Sequence, residues 1–406
     1  MTPGSPAWRA AEASWLLDFA SGSALQGGGF GWLDDDGRVD TSRPRELWIT
    51  ARMTHVFGLA AMTGHSGAAD LAAHGVQALA TIFADEEHGG WIRSVDDMGQ
   101  PLDDVKANYD HCFVLLASST AVAAGLPGAA EVLARAQATV ENHFWSELDG
   151  LSLESFTRDW SVCEDYRGVN SNMHAVESFT ACGDVSSDPV WRERALRIAK
   201  TVIDGFARAH RWRLPEHYDP HWQPLLDYNT DQRRDPFRPY GSTPGHWLEW
   251  SRLLIGLHSA LGTPPTWLLE SAAELFHAAA RVAWAADGKP GFVYTLDWND
   301  RTVVSERLHW VAAEAVLAAD ALHRATGDQR AAALLERWWR HIDDWFCDTE
   351  CGSWHHELDS DLRVSRLVWS GKPDVYHAYQ AVTLPDLPLA PAAAAALAAG
   401  PPQRVG

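Results

Sequence analysis

The 406-residue sequence predicts an all-α fold, an (α/α)6 barrel in which short hairpins and long loops form a funnel. Two observations lead there. Short segments built from aromatic residues, Gly and Asp recur along the chain, and the stretches between them carry helical periodicity. The recurring segments are residues 29–34, 87–92, 144–150, 215–219, 291–298 and 352–359. Their separations, roughly 55–80 residues, leave room for a pair of helices in each interval. Alternating aromatics flanked by turn formers make each segment a tight loop or small hairpin. About six repeats of two helices close into a toroid of inner and outer helices, with the funnel where the inner helices meet the long loops.

The helical stretches follow in order. Residues 65–84 are rich in Ala and Leu, with Leu71, Ala72, Val76, Leu79 and Ile82 along one stripe. Residues 109–123, 129–145, 188–210, 246–261, 266–285, 309–325 and 328–346 behave similarly. Ser187-Asp188-Pro189 and Thr263-Pro264-Pro265 are start signals. No Gly/Ser linker divides the chain, which predicts one domain over residues 1–406, its Ala/Pro-rich end at 391–406 frayed.

Composition narrows the function. With 33 basic against 54 acidic residues the chain carries a net charge of -21, which repels nucleic-acid backbones and anionic membranes. Five cysteines in so long a chain do not suggest a disulfide framework. Near the N-terminus Trp15-Leu16-Leu17 is soon interrupted by Asp18, so neither a signal peptide nor a membrane span is expected, and the setting is cytoplasmic. Tryptophan is the outlier, at 21 copies against 8 Tyr. Most of these pack the core, yet aromatic faces also stack on pyranose rings, which fits a carbohydrate substrate.

Four segments concentrate polar residues where a core helix would not place them: residues 48–52, 168–177, 241–250 and 371–377. In the second and third, His174 and Glu177, and His246 and Glu249, stand three apart and share a helix face. A His-x-x-Glu is commonly an ordinary ion pair. Two of them at helix starts, joined by His377, suit proton transfer, because a carboxylate fixes the tautomer of a histidine and tunes its basicity. Arg52 offers a permanent cation to a developing enediolate. Metal binding is the rival use, and Cys347, Cys351, His355 and His356 form a superficially zinc-like run. That run lies inside one of the repeated aromatic turns, which exist elsewhere without Cys, and no metal is expected. There is no G-x-S-x-G elbow, Walker sequence or Gly-rich dinucleotide loop.

At these segments the sequence resembles the N-acylglucosamine 2-epimerase superfamily, and within it the branch of mannose and sulfoquinovose isomerases. The matching blocks are LWITARMTHVFGLAA, YRGVNSNMHAVESF, GSTPGHWLEWSRLL, FVYTLDWNDRTVVSERLHWVAAEA and VWSGKPDVYHAY, in family order from about residue 28 to 390. The resemblance implies an (α/α)6 barrel and cofactor-free aldose–ketose isomerisation through a cis-enediol. It implies that His377 moves a proton between C1 and C2, and that His246 assists ring opening and proton relay with Glu249 holding it. Arg52 belongs to the same catalytic pattern. Trp48, Tyr109, Asn170, His174, Arg238, Trp310 and Glu314 match positions that line the sugar pocket.

Two departures bear on the substrate. The sulfoquinovose branch carries glutamines where this chain has His356 and Pro373, and those glutamines serve the sulfonate. Their absence favours a neutral hexose, so D-mannose and D-fructose are expected, with D-lyxose and D-xylulose as a side activity. Sulfoquinovose isomerisation and C2 epimerisation are the alternatives within the superfamily. A glycoside hydrolase on the same barrel, with Glu249 and Glu314 as opposed carboxylates, is a further one.

Overall fold

The computed structural model describes residues 1–400. Six helices form an inner ring: α2 (Leu47–Met62), α4 (Asn108–Ala123), α6 (Val169–Ser186), α8 (Pro244–Ala260), α10 (His309–Thr326) and α12 (Tyr376–Thr383). Each packs on the next, and α12 returns to α2, so the ring is closed. Six more lie outside it: α1 (Pro6–Ser21), α3 (Ala68–Ala80), α5 (Ala129–Thr139), α7 (Pro189–Ala199), α9 (Trp267–Val282) and α11 (Gln329–Trp345). Each of these packs on one inner helix, α1 on α12 and the others on the inner helix just before them in sequence. This is the expected (α/α)6 barrel.

The two rings differ in pattern because they differ in surroundings. On α3 the buried residues include Ala68, Ala72, Val76 and Leu79, a single stripe. On α2 every residue from Leu47 to Ala60 is buried, polar ones included. The predicted stretches 129–145 and 188–210 are helical, but α5 passes into a π-helical turn at Val140–Phe144 and α7 into one at Lys200–Ala207.

A belt of very short β-ladders ties the mouth of the barrel. The residues just before an inner helix pair antiparallel with the hairpin that precedes the next one. The pairs are Arg45–Glu46 with Ser94–Val95, Lys106–Ala107 with Ser155–Phe156, and Arg167–Gly168 with His217–Tyr218. A bridge from Ser242 to Leu296 and the pair Arg307–Leu308 with Glu357–Leu358 continue it. The amide of Lys372, donating to the Leu33 carbonyl at 2.9 Å, closes the circuit.

The hairpins share a turn. Asp34, Asp96, Asp219, Asp297 and Asp359 each accept two backbone N–H bonds at Oδ1, from the second and fourth residues after them. The third residue after each Asp has positive φ, which Gly37 and Gly99 adopt without strain. This is why Asp and Gly recurred among the aromatics. A buried cation then pins most belt segments to the preceding turn. Lys106 meets Asp85 at 2.7 Å and the Gly89 carbonyl at 2.9 Å, and Arg307 meets Asp287 at 2.7 Å.

The C-terminal end departs from expectation. Residues Ala393–Ala399 form a helix, α13, that packs on α2, α4 and α6, and the Ala392 amide donates to Asp184 Oδ2 at 2.6 Å. An Ala-rich stretch has high helix propensity, and here it also finds apolar surface to cover. The frayed tail expected over 391–406 is thus a docked segment as far as residue 400, and residues 401–406 lie outside the described residues.

Replacing Lys106 by Met tests the pinning of the belt. It leaves Asp85 buried with the half-buried Arg158 at 2.9 Å as its cation, beside the amides of Glu87 and His88. Loss of one partner of a buried pair costs about 3 kcal/mol, which a lowered denaturant midpoint registers. An unchanged midpoint would mean that Arg158 alone compensates Asp85.

Candidate active site

The belt sets the first turns of the inner helices around one pocket at the barrel mouth, and the polar segments singled out in the sequence lie there. Trp48 and Arg52 come from α2, Tyr109 from α4, Asn170 and His174 from α6, His246 and Glu249 from α8, Trp310 from α10 and His377 from α12. The pocket, about 60 Å³, shares Tyr109, Asn170 and Phe237 with a wider cavity of about 520 Å³.

His246 and His377 both lie against Trp310, whose ring centroid is 5.2 Å from the first imidazole and 5.7 Å from the second. Each is held at Nδ1 by a carboxylate: His246 by Glu216 Oε2 at 2.9 Å and His377 by Glu314 Oε1 at 3.0 Å. A carboxylate accepts, so Nδ1 carries the proton and Nε2 the lone pair. Burial pushes the His377 imidazole below its ordinary value, against the pull of Glu314. It is therefore neutral and basic near pH 7.

Arg52 supplies the fixed cation. Its guanidinium donates to Asp374 Oδ2 at 3.2 Å and to the Tyr109 hydroxyl at 2.8 Å, and it lies over Phe113 at 4.3 Å and Tyr376 at 4.8 Å. Burial alone would weaken its hold on the proton, but Tyr109 and Asp374 beside it keep the group firmly charged. Asn170 Oδ1 and His174 Nδ1 are buried without a hydrogen-bond partner among the described residues.

Beneath the pocket three carboxylates converge on one guanidinium. Arg252 reaches Glu314 at 2.9 Å, Glu177 at 3.6 Å and Glu249 at 3.7 Å. Burial works against the charge on Glu314 and Glu177. Arg252 with His377 overcomes it for Glu314, and His174 with Arg252 does so for Glu177. For Glu249 the pull of Arg252 is outweighed: burial and then the Glu314 charge raise it well above the usual carboxylate range, so it stays protonated.

Three sequence expectations change. Glu314, expected to line the sugar pocket, is fully buried outside its lining and holds His377 instead. Glu249 does not hold His246. Its nearest partners are Arg252 and His174, the latter at 3.9 Å, and Glu216 takes the place at His246. Glu216 also accepts the Thr243 amide at 3.1 Å, so it ties the start of α8 to the histidine. The i,i+3 spacing put Glu249 on the same helix, but the first turn of α8 aims His246 back at the belt, where Glu216 precedes the His217–Tyr218 strand. Arg238 does not line this pocket either. It clamps Glu164 with bonds of 2.7 and 3.0 Å, lies 4.0 Å over the Tyr166 ring, and lines the wider neighbouring cavity. Sequence reasoning also passed over His309, Asp374 as the partner of Arg52, and the two aromatics Phe237 and Trp369 at the pocket edge. Phe237 sits in a Pro-rich loop with no periodic signal, and His309 directly precedes Trp310.

Among the described residues two trios place metal-ligand atoms within 4.8 Å of one another: His174, Glu177 and Glu249, and Glu249, Glu314 and His377. A divalent ion in either would meet the Arg252 guanidinium already seated among the same oxygens. The zinc-like run does not converge. Cys347 contacts Glu12, Cys351 contacts Asp36, and His356 turns into the pocket, where its Nε2 donates to the Asp374 carbonyl at 3.1 Å.

Residues 28–381 match the N-acylglucosamine 2-epimerase (GlcNAc 2-epimerase) family. The chain belongs to this family. Within it the chain is 51% identical to the D-mannose isomerase of Thermobifida fusca, over 97% of both chains. It is 45% identical to the D-mannose isomerase of Pseudomonas cannabina pv. alisalensis, over 98% of this chain and 96% of that one. A solved D-mannose isomerase superposes with a TM-score of 0.87 at 29% identity, covering 93% of this chain and 97% of that one. The cellobiose 2-epimerase of Spirochaeta thermophila shares the fold, with a TM-score of 0.80 at 21% identity over 93% and 95% of the two chains.

Two measurements follow from the geometry. Glu216→Ala removes a charged hydrogen bond to His246, an interaction on the scale that costs about 10- to 100-fold in kcat. Unchanged kcat would show that the first turn of α8 orients His246 unaided. If neutral His377 is the base, kcat/KM stays level from neutral pH downward and falls only below about 6.5, the ordinary imidazole value, because burial lowers its pKa. An acid limb centred above that value would contradict this.

Proposed function

We propose that the protein is an aldose–ketose isomerase that interconverts D-mannose and D-fructose. The observation that carries this reading is the pair of histidines, each fixed at Nδ1 by its own carboxylate, facing one pocket that also holds the Arg52 cation. The D-mannose isomerases similar to this chain over nearly its whole length support it.

In the forward direction His377 takes the proton from C2 of open-chain mannose, and the C–H electrons form a C1–C2 double bond as the carbonyl becomes an O1 oxyanion. His246, whose Nε2 carries a lone pair, accepts the O2 proton of this cis-enediol anion and hands it to O1, which leaves the charge on O2. His377 then returns its proton to C1 as the C2 carbonyl forms, giving fructose. Both histidines end as they began. Arg52, fixed by Asp374 and Tyr109, offsets the negative charge on the enediol oxygens without reorganising. A cytoplasmic setting is part of the proposal, supported by five cysteines that are all unpaired.

The pocket wall favours a neutral sugar over a sulfonated one. Pro373 lines it and has no N–H to offer. His356 spends its Nε2 proton on the Asp374 carbonyl, and burial pushes its imidazole well below the ordinary range, so it is uncharged. Hydrolysis is disfavoured on geometry. Glu249 and Glu314 approach within 4.8 Å, are fully buried, and flank Arg252 on the pocket floor rather than opposing each other across a bond.

Proton NMR of the protein with D-mannose in deuterated water tests the reaction. Fructose carrying solvent deuterium at C1 is expected, with turnover surviving exhaustive chelation. Glucose as the product would establish epimerisation instead, and loss of turnover on chelation would bring back the metal-binding trios. His377→Ala lowers kcat by at least about 10²-fold with the fold intact, the scale of a lost general base. Near-normal turnover in that variant would remove His377 from the proton relay.

A further inference from the structure

His309 and His356 stack face to face on the wall of the pocket, their centroids 3.7 Å apart and their planes 24° from parallel. Their hydrogen bonds fix both tautomers. The His356 ring meets the Asp374 carbonyl at Nε2, 3.1 Å away, and the His309 ring meets the His356 carbonyl at Nδ1, 3.4 Å away. A carbonyl only accepts, so each of these nitrogens carries the proton. The remaining nitrogen of His309, Nε2, is then a bare lone pair. It is buried, and no donor among the described residues reaches it. Burial, followed by the proximity of His377, holds the His309 imidazole at a pKa of about 3, so it does not convert to a donor by protonation near neutral pH.

We infer that His309 determines substrate specificity, its Nε2 accepting a hydrogen bond from one sugar hydroxyl and rejecting any anionic substituent in that hydroxyl's place. A buried acceptor without a partner is costly, and the molecule that fills the pocket is what can satisfy it. A hydroxyl has a proton to give. A sulfonate, phosphate or carboxylate oxygen has lone pairs alone, and two lone pairs facing each other in a dry pocket repel. The stacked pair makes this polarity rigid. His309 cannot turn without giving up the His356 carbonyl, and its amide is bound to that same carbonyl at 3.1 Å. The selectivity therefore lies in the direction of a hydrogen bond, separately from the missing donors at Pro373 and His356.

The inference rests on the proposed action on a free hexose, and the test separates the two. Wild type, His309→Leu and His309→Gln are assayed with D-mannose, with mannoses lacking one hydroxyl at a time, and with sulfoquinovose. His309→Leu is expected to lower kcat/KM for mannose about 10- to 100-fold, chiefly through KM. That loss vanishes with the one deoxy sugar that lacks the partner hydroxyl. His309→Gln can turn an amide N–H into the pocket and is expected to move the sulfoquinovose-to-mannose ratio of kcat/KM upward about tenfold or more. Equal losses on every deoxy sugar, or an unmoved ratio in His309→Gln, would overturn the assignment. An absence of mannose turnover in wild type would instead overturn the proposed reaction. Nitrogen-15 NMR of histidine-labelled wild type needs neither turnover nor a folded variant. A pyridine-type Nε2 resonance for His309 is expected, and a protonated, pyrrole-type Nε2 would end the argument.

Discussion

On the barrel axis one guanidinium, that of Arg252, lies among the carboxylates of Glu314, Glu177 and Glu249. Most of the site hangs from it. Glu314 can stay ionised in a dry interior because Arg252 is there, and only an ionised Glu314 holds the Nδ1 proton of His377. Glu177 accepts a short hydrogen bond from the Tyr376 hydroxyl, and the Tyr376 ring lies against Arg52. Three carboxylates on one cation would leave excess negative charge, and the protonation of Glu249 relieves part of it. The group joins α6, α8 and α10 directly and α12 through Tyr376 and His377. An isolated buried ion pair adds little net stability; here the charges are arranged to set protonation states.

A second constraint is the belt of ladders at the mouth. Inner helices buried on every side have no solvent face to set their rotation, so packing alone leaves their depth weakly defined. A two-residue strand before a helix fixes that depth. Because the same device recurs around the ring, every inner helix presents its first two turns to one pocket. The residues that line the pocket are thus spread over the whole sequence yet sit in one layer.

The outer ring, α1 apart, was the more legible part of the sequence, although the stretches over the inner helices α4, α8 and α10 also carried a helical pattern. Helices such as α3 and α11 have one apolar stripe against solvent, and that contrast is what periodicity measures. The inner helix α2 has no such contrast, since Arg52, Thr54 and His55 are as buried as Met53 and Val56. It could be read only from its polar residues and from family resemblance. The same limit explains the site. Arg52, His246 and His377 were recognisable as residue types in unusual surroundings, and they do meet in space. Their partners were not recognisable, because Glu216 is 30 positions from His246 and Glu314 is 63 from His377. Pairing by spacing along one helix selected Glu249, whose carboxyl is uncharged. Arg238 was drawn to the pocket by resemblance, and the two acidic residues Glu154 and Glu164 hold it in the next cavity.

The docked C-terminal segment has a different kind of consequence. Residues 384–394 and the C-terminal ends of the inner helices enclose a separate cavity at the far end of the barrel, with Glu177 and Arg252 between it and the pocket. The axis is a well closed on that side. Whatever is made in the pocket leaves toward the mouth, the side from which the starting sugar came. Such an enzyme works as a revolving door with a single compartment. Each sugar of the pair excludes the other, and net flux runs toward their equilibrium ratio from whichever side exceeds it.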